Sequence, residues 1–141
     1  MYETIKTVHC ILAFIALAVL ILASINAIYG VSSKKLFAAK DLRLSLFALI
    51  FCHIQLVIGF ILYFLSPVGF DAISQMSNGA IRLTAVEHPL INIIAIVLIT
   101  IGWSKHKKEE SNNGKFKKIA IFYTIGLVLI LARIPWNSWL A

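Results

Sequence analysis

The chain has 141 residues, 60% of them hydrophobic and only 13% charged, with a formal net charge of +7. This balance excludes an ordinary soluble fold and points to one membrane-embedded domain spanning 1–141. The positive charge does not imply nucleic acid, because the basic stretches lack the interleaved aromatics of a strand-binding surface.

A bilayer core needs about 20 apolar residues in a helix. Thr7–Ser33 and Leu44–Phe70 contain no Asp, Glu, Lys or Arg and exceed that length. The first predicted helix runs from Tyr2 to Tyr29, with Gly30 as its C-cap. Its apolar run is too long for the 7–15-residue core of a signal peptide, so it is read as a retained helix. The second runs from Asp41, its N-cap, to Leu65, where Ser66–Pro67 stops it. The loop that follows, with Gly69, Ser77, Asn78 and Gly79, has turn chemistry and no apolar period. The third helix is expected over Ala80–Ser104, with a kink near Ala85–Pro89 because Pro89 removes a backbone hydrogen bond. The fourth is expected over Phe116–Ile134 and ends at Pro135. The uncharged runs of the last two, His88–Ser104 and Ile119–Ala132, fall short of a full span. To cross, these helices must recruit flanks that include Arg82, Glu87 and Arg133.

Charge placement sets the expected topology. Lys34, Lys35, Lys40 and Arg43 follow the first run. Lys105, Lys107, Lys108, Lys115, Lys117 and Lys118 separate the last two. The positive-inside rule puts these ten residues on the cytoplasmic side, leaving both termini and the Ser66–Ala80 loop outside. The fold class expected is an all-α membrane protein, a four-transmembrane-helix up-down-up-down bundle. Trp136 and Trp139 then suit the outer interface and Trp103 the inner one. The basic loops are expected to touch anionic lipid.

Ionisable residues inside a membrane are functional candidates by default. His9, His53 and His88 fall within the first, second and third helices, while His106 belongs to a lysine cluster and is read as solvated. Buried imidazoles need partners or a shared ligand. At 1.5 Å rise per residue, His9 lies roughly 30 Å, His88 roughly 24 Å and His53 roughly 15–18 Å from the inner ends of their helices. His9 and His88 therefore match best in depth, with His53 about two turns deeper. His9, Ala13 and Ala16 share a face, as do His88, Asn92 and Ala95, and such small residues admit a flat macrocycle or another helix. Neutral imidazole ligates haem iron, and helical bundles house such sites. Arg82 and Arg133 suit carboxylates such as haem propionates. On the residues alone, a haem site stands beside a structural or transport role, with Arg82 paired to Glu87 or to lipid phosphate. Cys10 and Cys52 each adjoin a histidine but diverge from it by about 100° on the helix, and are read as small packing residues.

The stretches FCHIQLVIGFILYFLSP, VEHPLINIIAIVLITIGWSKHKK and LVLILARIPW resemble a family of short four-helix bacterial integral membrane proteins described as cytochrome-b-like. The resemblance covers nearly the whole chain. It rests on His9, on His53 before Gln55, on Glu87–His88–Pro89 and on Arg133–Ile134–Pro135–Trp136. It implies a haem b protein, with the iron expected on two of His88, His9 and His53; Arg82, Arg133 and Asn92, read from the residues themselves, are the further cofactor contacts expected. It also implies a place in the bacterial cytoplasmic membrane, with periplasmic termini. The larger di-haem four-helix cytochromes b carry two histidines on their fourth helix. This fourth helix has none, so a single haem, or one shared across a homo-oligomer, is expected. The function expected is electron transfer to or from the quinone pool, with a separate redox partner or a larger membrane complex. If the chain is an enzyme, it is a haem-dependent membrane oxidoreductase. Two alternatives stand beside this: a haem-free accessory subunit, and a proton or metal-ion conduit lined by His9, His53, Glu87 and His88. No nucleophile–base pair, phosphate-cradling loop or HExxH motif supports hydrolysis.

Overall fold

The computed structural model describes residues 1–139. Among them every regular element is helical. Helices α1 (Tyr2–Ser33) and α2 (Ala39–Leu65) form a hairpin. A short 3-10 segment, Phe70–Gln75, breaks the loop expected to be irregular. It leads into a composite helix made of α3 (Gly79–Arg82), a π turn (Leu83–Glu87) and α4 (His88–Lys108). Helix α5 (Asn112–Ala132) and the short α6 (Trp136–Trp139), which the sequence did not announce, follow. Helix α1 packs against α2 and α5, and α4 packs against the same two, so the long helices stand in a ring.

Three helices, α1, α2 and the composite Gly79–Lys108, are long and apolar enough to cross a membrane. Exposed Ile11, Phe14, Phe47, Val57, Phe64 and Val97 coat their outward faces. That much apolar surface is untenable in water and ordinary in lipid, which makes the chain a helical, multi-pass membrane protein. Helix α5 is different. Lys115, Lys117 and Lys118 occupy its first two turns, so its uncharged part covers only about 21 Å of a hydrocarbon core about 30 Å thick.

The helix ends differ from expectation for local reasons. Helix α1 runs through Gly30 to Ser33 and ends on Lys34 in the left-handed conformation, φ 54°. Gly30 serves close approach instead of capping: a Cβ there would lie 2.5 Å from the Phe116 ring. Asp41 is the third residue of α2, behind Ala38 at the N-cap. Its carboxylate accepts from the Ala38 N–H at 2.9 Å and from Asn26 Nδ2 at 2.9 Å, and lies 3.3 Å from Lys35 Nζ. This buried node closes the α1–α2 turn. The neighbouring turn is joined to it by Phe37 N–H donating to Asn112 Oδ1 at 3.0 Å.

His106 is not solvated as expected. It is 1% exposed, packs against Phe37 and Trp103, and donates from Nδ1 to the Trp103 carbonyl at 2.6 Å. Its lysine neighbours in sequence gave no sign that Phe37, from the other turn, would cover it. Together with Tyr123, whose hydroxyl donates to the Ser45 carbonyl at 2.8 Å, these contacts fill the half of the ring that carries the lysines, the basic end.

At the opposite end, where the chain begins, the composite helix is held by one substitution of partners. Pro89 has no N–H, so Ala85 loses the donor that an α-helix would give its carbonyl. The Tyr63 hydroxyl supplies one at 2.8 Å. The His88 N–H reaches back to Leu83, widening the turn to a π turn. The kink expected at Ala85–Pro89 thus takes the form of a π turn directly before His88. Such bulges gather at functional sites.

Two expectations follow for stability in detergent. A Cβ at Gly126 would meet Ile99 Cγ1 at 2.7 Å and the Ala95 carbonyl at 3.1 Å, at a close approach of α4 and α5. Gly126→Ala should cost about 1–3 kcal/mol, the usual size of overpacking. Gly79→Ala, with only the tip of Arg82 nearby at 3.8 Å, should leave the melting temperature unchanged. Tyr63→Phe should cost about 1–3 kcal/mol by orphaning the buried Ala85 carbonyl. Pro89→Ala restores an N–H opposite that carbonyl, so melts of the two single variants and the double variant should reveal strong coupling.

Candidate functional site

Between the helices at the terminal end lies a cavity of about 500 Å³, within the range that holds a small molecule or cofactor. His9 from α1 and His88 from α4 both line it, as do Gln55 and Gly59 from α2 and Asn92 from α4. The two imidazole centroids are 6.5 Å apart, with planes at 86°. Cys10 and Cys52 also line the cavity, Cys52 being buried.

Each histidine is oriented by a partner. His88 Nδ1 lies 3.0 Å from the Arg133 carbonyl. Asn92 Nδ2 also lies 3.2 Å from Nδ1, so two partners compete for this nitrogen; the shorter contact, to a carbonyl that only accepts, needs the tautomer with the proton on Nδ1 and the lone pair on Nε2. This is the arrangement of a metal-ligating histidine, whose second nitrogen donates to a carbonyl or carboxylate. Asn92 Nδ2 donates to the His88 carbonyl at 2.6 Å, which fixes the Asn92 side chain one turn further along.

His9 is held by Gln55. The amide nitrogen of Gln55 donates to the His9 carbonyl at 2.8 Å and to His9 Nδ1 at 3.1 Å. With a donor facing Nδ1, the proton of this ring is on Nε2. The Gln55 carbonyl oxygen is left buried without a partner among the described residues, and so is Nε1–H of Trp139, another residue of the cavity wall. Gly59 leaves room for the His9 ring: a Cβ there would lie 3.2 Å from His9 Cε1.

Spacing bounds what the pair can hold. Two imidazoles on opposite sides of one metal ion, at metal–nitrogen bonds of about 2.0–2.1 Å, place their centroids about 6.4 Å apart. The observed 6.5 Å matches this. Among the described residues no cluster of three or more His, Cys, Asp or Glu could hold a bare metal ion. A macrocycle that brings its own four donors needs only the two axial ones.

The remaining candidates lie elsewhere. His53 is exposed on α2 and donates from Nδ1 to its own helix at the Leu49 carbonyl, 2.8 Å away. Its Nε2 lies 3.4 Å from Thr100 Oγ1. It does not line the cavity. Ala95 is packed in the core beside Gly126, and Ile96 takes the wall position expected for it. Arg82 and Arg133 are both outside the cavity, joined through Glu87: Arg82 Nε lies 2.9 Å from one carboxylate oxygen and Arg133 Nε 3.4 Å from the other. The conduit residues His9, Glu87, His88 and His53 therefore do not form one line, since only His9 and His88 share the cavity.

Sequence reasoning missed Gln55 and Tyr63 as residues that position the histidines. A signal for Gln55 was present, a lone amide in an otherwise apolar helix, which needs a partner there. No family model matches this chain, nor does any curated protein or solved structure.

Proposed function

We propose that this chain is a membrane-embedded b-type haem protein that moves single electrons, with His9 and His88 as the two residues that would hold the haem iron. The observation that carries the reading is the pair of rings 6.5 Å apart on the wall of a cavity of about 500 Å³, with His88 Nδ1 3.0 Å from the Arg133 carbonyl. Bound there, haem would supply a reversible one-electron couple.

The residues of the chain divide the work in this reading. His88 presents Nε2, held by Arg133 and Asn92. His9 must move its proton from Nε2 to Nδ1, and a half-turn of the Gln55 amide brings the unpartnered carbonyl oxygen to receive it. This gives up both donations of the Gln55 nitrogen, to the His9 carbonyl and to its ring, for one bond accepted from Nδ1–H. The apolar wall excludes water, and Ala13, Ala16 and Gly59 leave space for a flat ligand.

The topology proposed is four spans with both termini on the periplasmic side of a bacterial cytoplasmic membrane. The short apolar part of α5 reaches the far surface through Arg133 and Trp136. Such a protein would exchange electrons with quinone in the bilayer and with a separate redox partner.

Purified protein should show Soret and α bands that sharpen and shift on reduction. His9→Ala and His88→Ala should lose them, while His53→Ala and His106→Ala should keep them. A folded, colourless protein that takes up no added haem would overturn the reading, and loss of haem in His53→Ala would overturn the ligand pair. For topology, single-cysteine reporters at Ser32 and Asn113, in a background lacking Cys10 and Cys52, should stay unlabelled by impermeant reagent in intact cells. Labelling at both would invert the orientation.

A further inference from the structure

The cavity is graded. Its deep end, toward the basic half, is walled by Ala16, Leu20, Cys52 and Ile96; its middle carries His9, Gln55, His88 and Asn92; its mouth carries Lys6, Tyr2, Ser66 and Ser138. A ligand that matches this gradient is amphipathic: a flat apolar body reaching inward and an anionic or polar edge at the mouth. Among the described residues the wall contains one cation, Lys6. It lies one turn outward from His9 on the same face of α1, because residues three apart are neighbours on a helix.

The two arginines that seemed suited to an anion are already engaged. Glu87 accepts the Nε–H of Arg82 at 2.9 Å and forms an ion pair with Arg133 Nε at 3.4 Å. Arg82 gives a further donor to the Met76 carbonyl, and Arg133 gives one to the Ala132 carbonyl. Neither reaches the cavity wall. Lys6, by contrast, makes no ion pair with any described residue, its ammonium lying only 5.9 Å above its neighbour's ring at Tyr2. Its four-carbon stem lets it swing over the mouth at little cost. The Trp139 indole N–H, buried in the wall without a partner among the described residues, is a second donor available to an acceptor there.

We infer that Lys6, and neither arginine, is the residue that receives the carboxylate edge of the cavity's ligand. This inference rests on the reading of the cavity as a haem site, where the carboxylates are the propionates. Lys6 would thereby favour a ligand whose charged edge lies toward the terminal surface, while Leu20 and Ile96 line an apolar end of the cavity. The Glu87 pair with Arg82 and Arg133 serves another purpose. It fastens the end of α5 to the π turn and so keeps the Arg133 carbonyl on His88 Nδ1.

The test uses full-length protein, purified without haem in detergent and titrated with haem b or with its dimethyl ester, whose carboxylates are blocked. Binding is read from the Soret band. The parent should prefer haem b over the ester. Lys6→Gln should lose that preference by weakening haem b binding roughly two- to fivefold, the size of a partly exposed ion pair, with ester binding unchanged. Lys6→Arg should retain the preference, and Arg82→Gln should leave it intact. Equal affinity of the parent for both compounds, or an unchanged preference in Lys6→Gln, overturns the inference while leaving the haem site standing. Failure of the parent to bind either compound overturns the haem site itself, and this inference with it.

Discussion

Everything at the terminal end depends on a hydrogen bond that Pro89 cannot make. In a continuous helix the nitrogen of residue 89 would donate to Ala85, and the helix would need nothing from outside. Its absence opens the turn and recruits Tyr63 from α2. It also delivers His88 after a π turn, which shifts the residues beyond it around the helix axis by roughly one position relative to an unbroken α-helix. That shift places the His88 ring where the Arg133 carbonyl, free at the end of α5, can accept its proton. The carbonyl is free for a related reason: α5 stops at Ala132 because Pro135 cannot continue it. Two prolines, one near the start of α4 and one just beyond α5, therefore cooperate to bring the His88 ring and the Arg133 carbonyl together.

The two halves of the molecule differ in their polar groups, although the Ser24 and Thr124 hydroxyls, beside Ala23 and Tyr123, also lack a partner among the described residues. At the basic end, Asp41, Asn26 and Lys35 satisfy one another, and Phe37 lies over Phe116 and His106. A buried carboxylate is expensive unless it is paired and hydrogen-bonded, and this one is both. At the terminal end, polar groups are left in want of partners among the described residues: a Gln55 oxygen, a Trp139 N–H and the ammonium of Lys6. Small residues that close the basic half, such as Ala23 and Ala27 on α1, give way to small residues that border empty space, Ala13 and Gly59. The same residue type packs one half and leaves room in the other.

The helical membrane class was legible because long charge-free runs have few physical meanings. The pairing in depth of His9 with His88 was legible from helix rise alone. The isolation of His53 was foreshadowed by its extra two turns of depth, but its turn toward the lipid face depended on packing that the sequence does not express. His106 failed because a lysine-rich context was read as solvent, when the covering group, Phe37, stood far away in sequence. The arginines were read for charge without counting competitors, and Glu87 was the competitor for both. Pro89 announced a broken hydrogen bond, yet nothing local indicated that a tyrosine on another helix would mend it. In each case the missing term was a contact between elements, which single-helix periodicity does not carry.

The closed basic half has a consequence for the life of the chain before it is filled. Its contacts, from the Asp41 node to Tyr123 on the Ser45 carbonyl, need no ligand to be complete. The helices can therefore register against one another at that end first, as a clasp holding four rods by their tips. The open tips then form a vestibule whose walls part without disturbing the clasp. Under the proposed haem reading, loading would be a late and separate event in maturation, reached from the terminal surface, and the waiting form would be a folded protein.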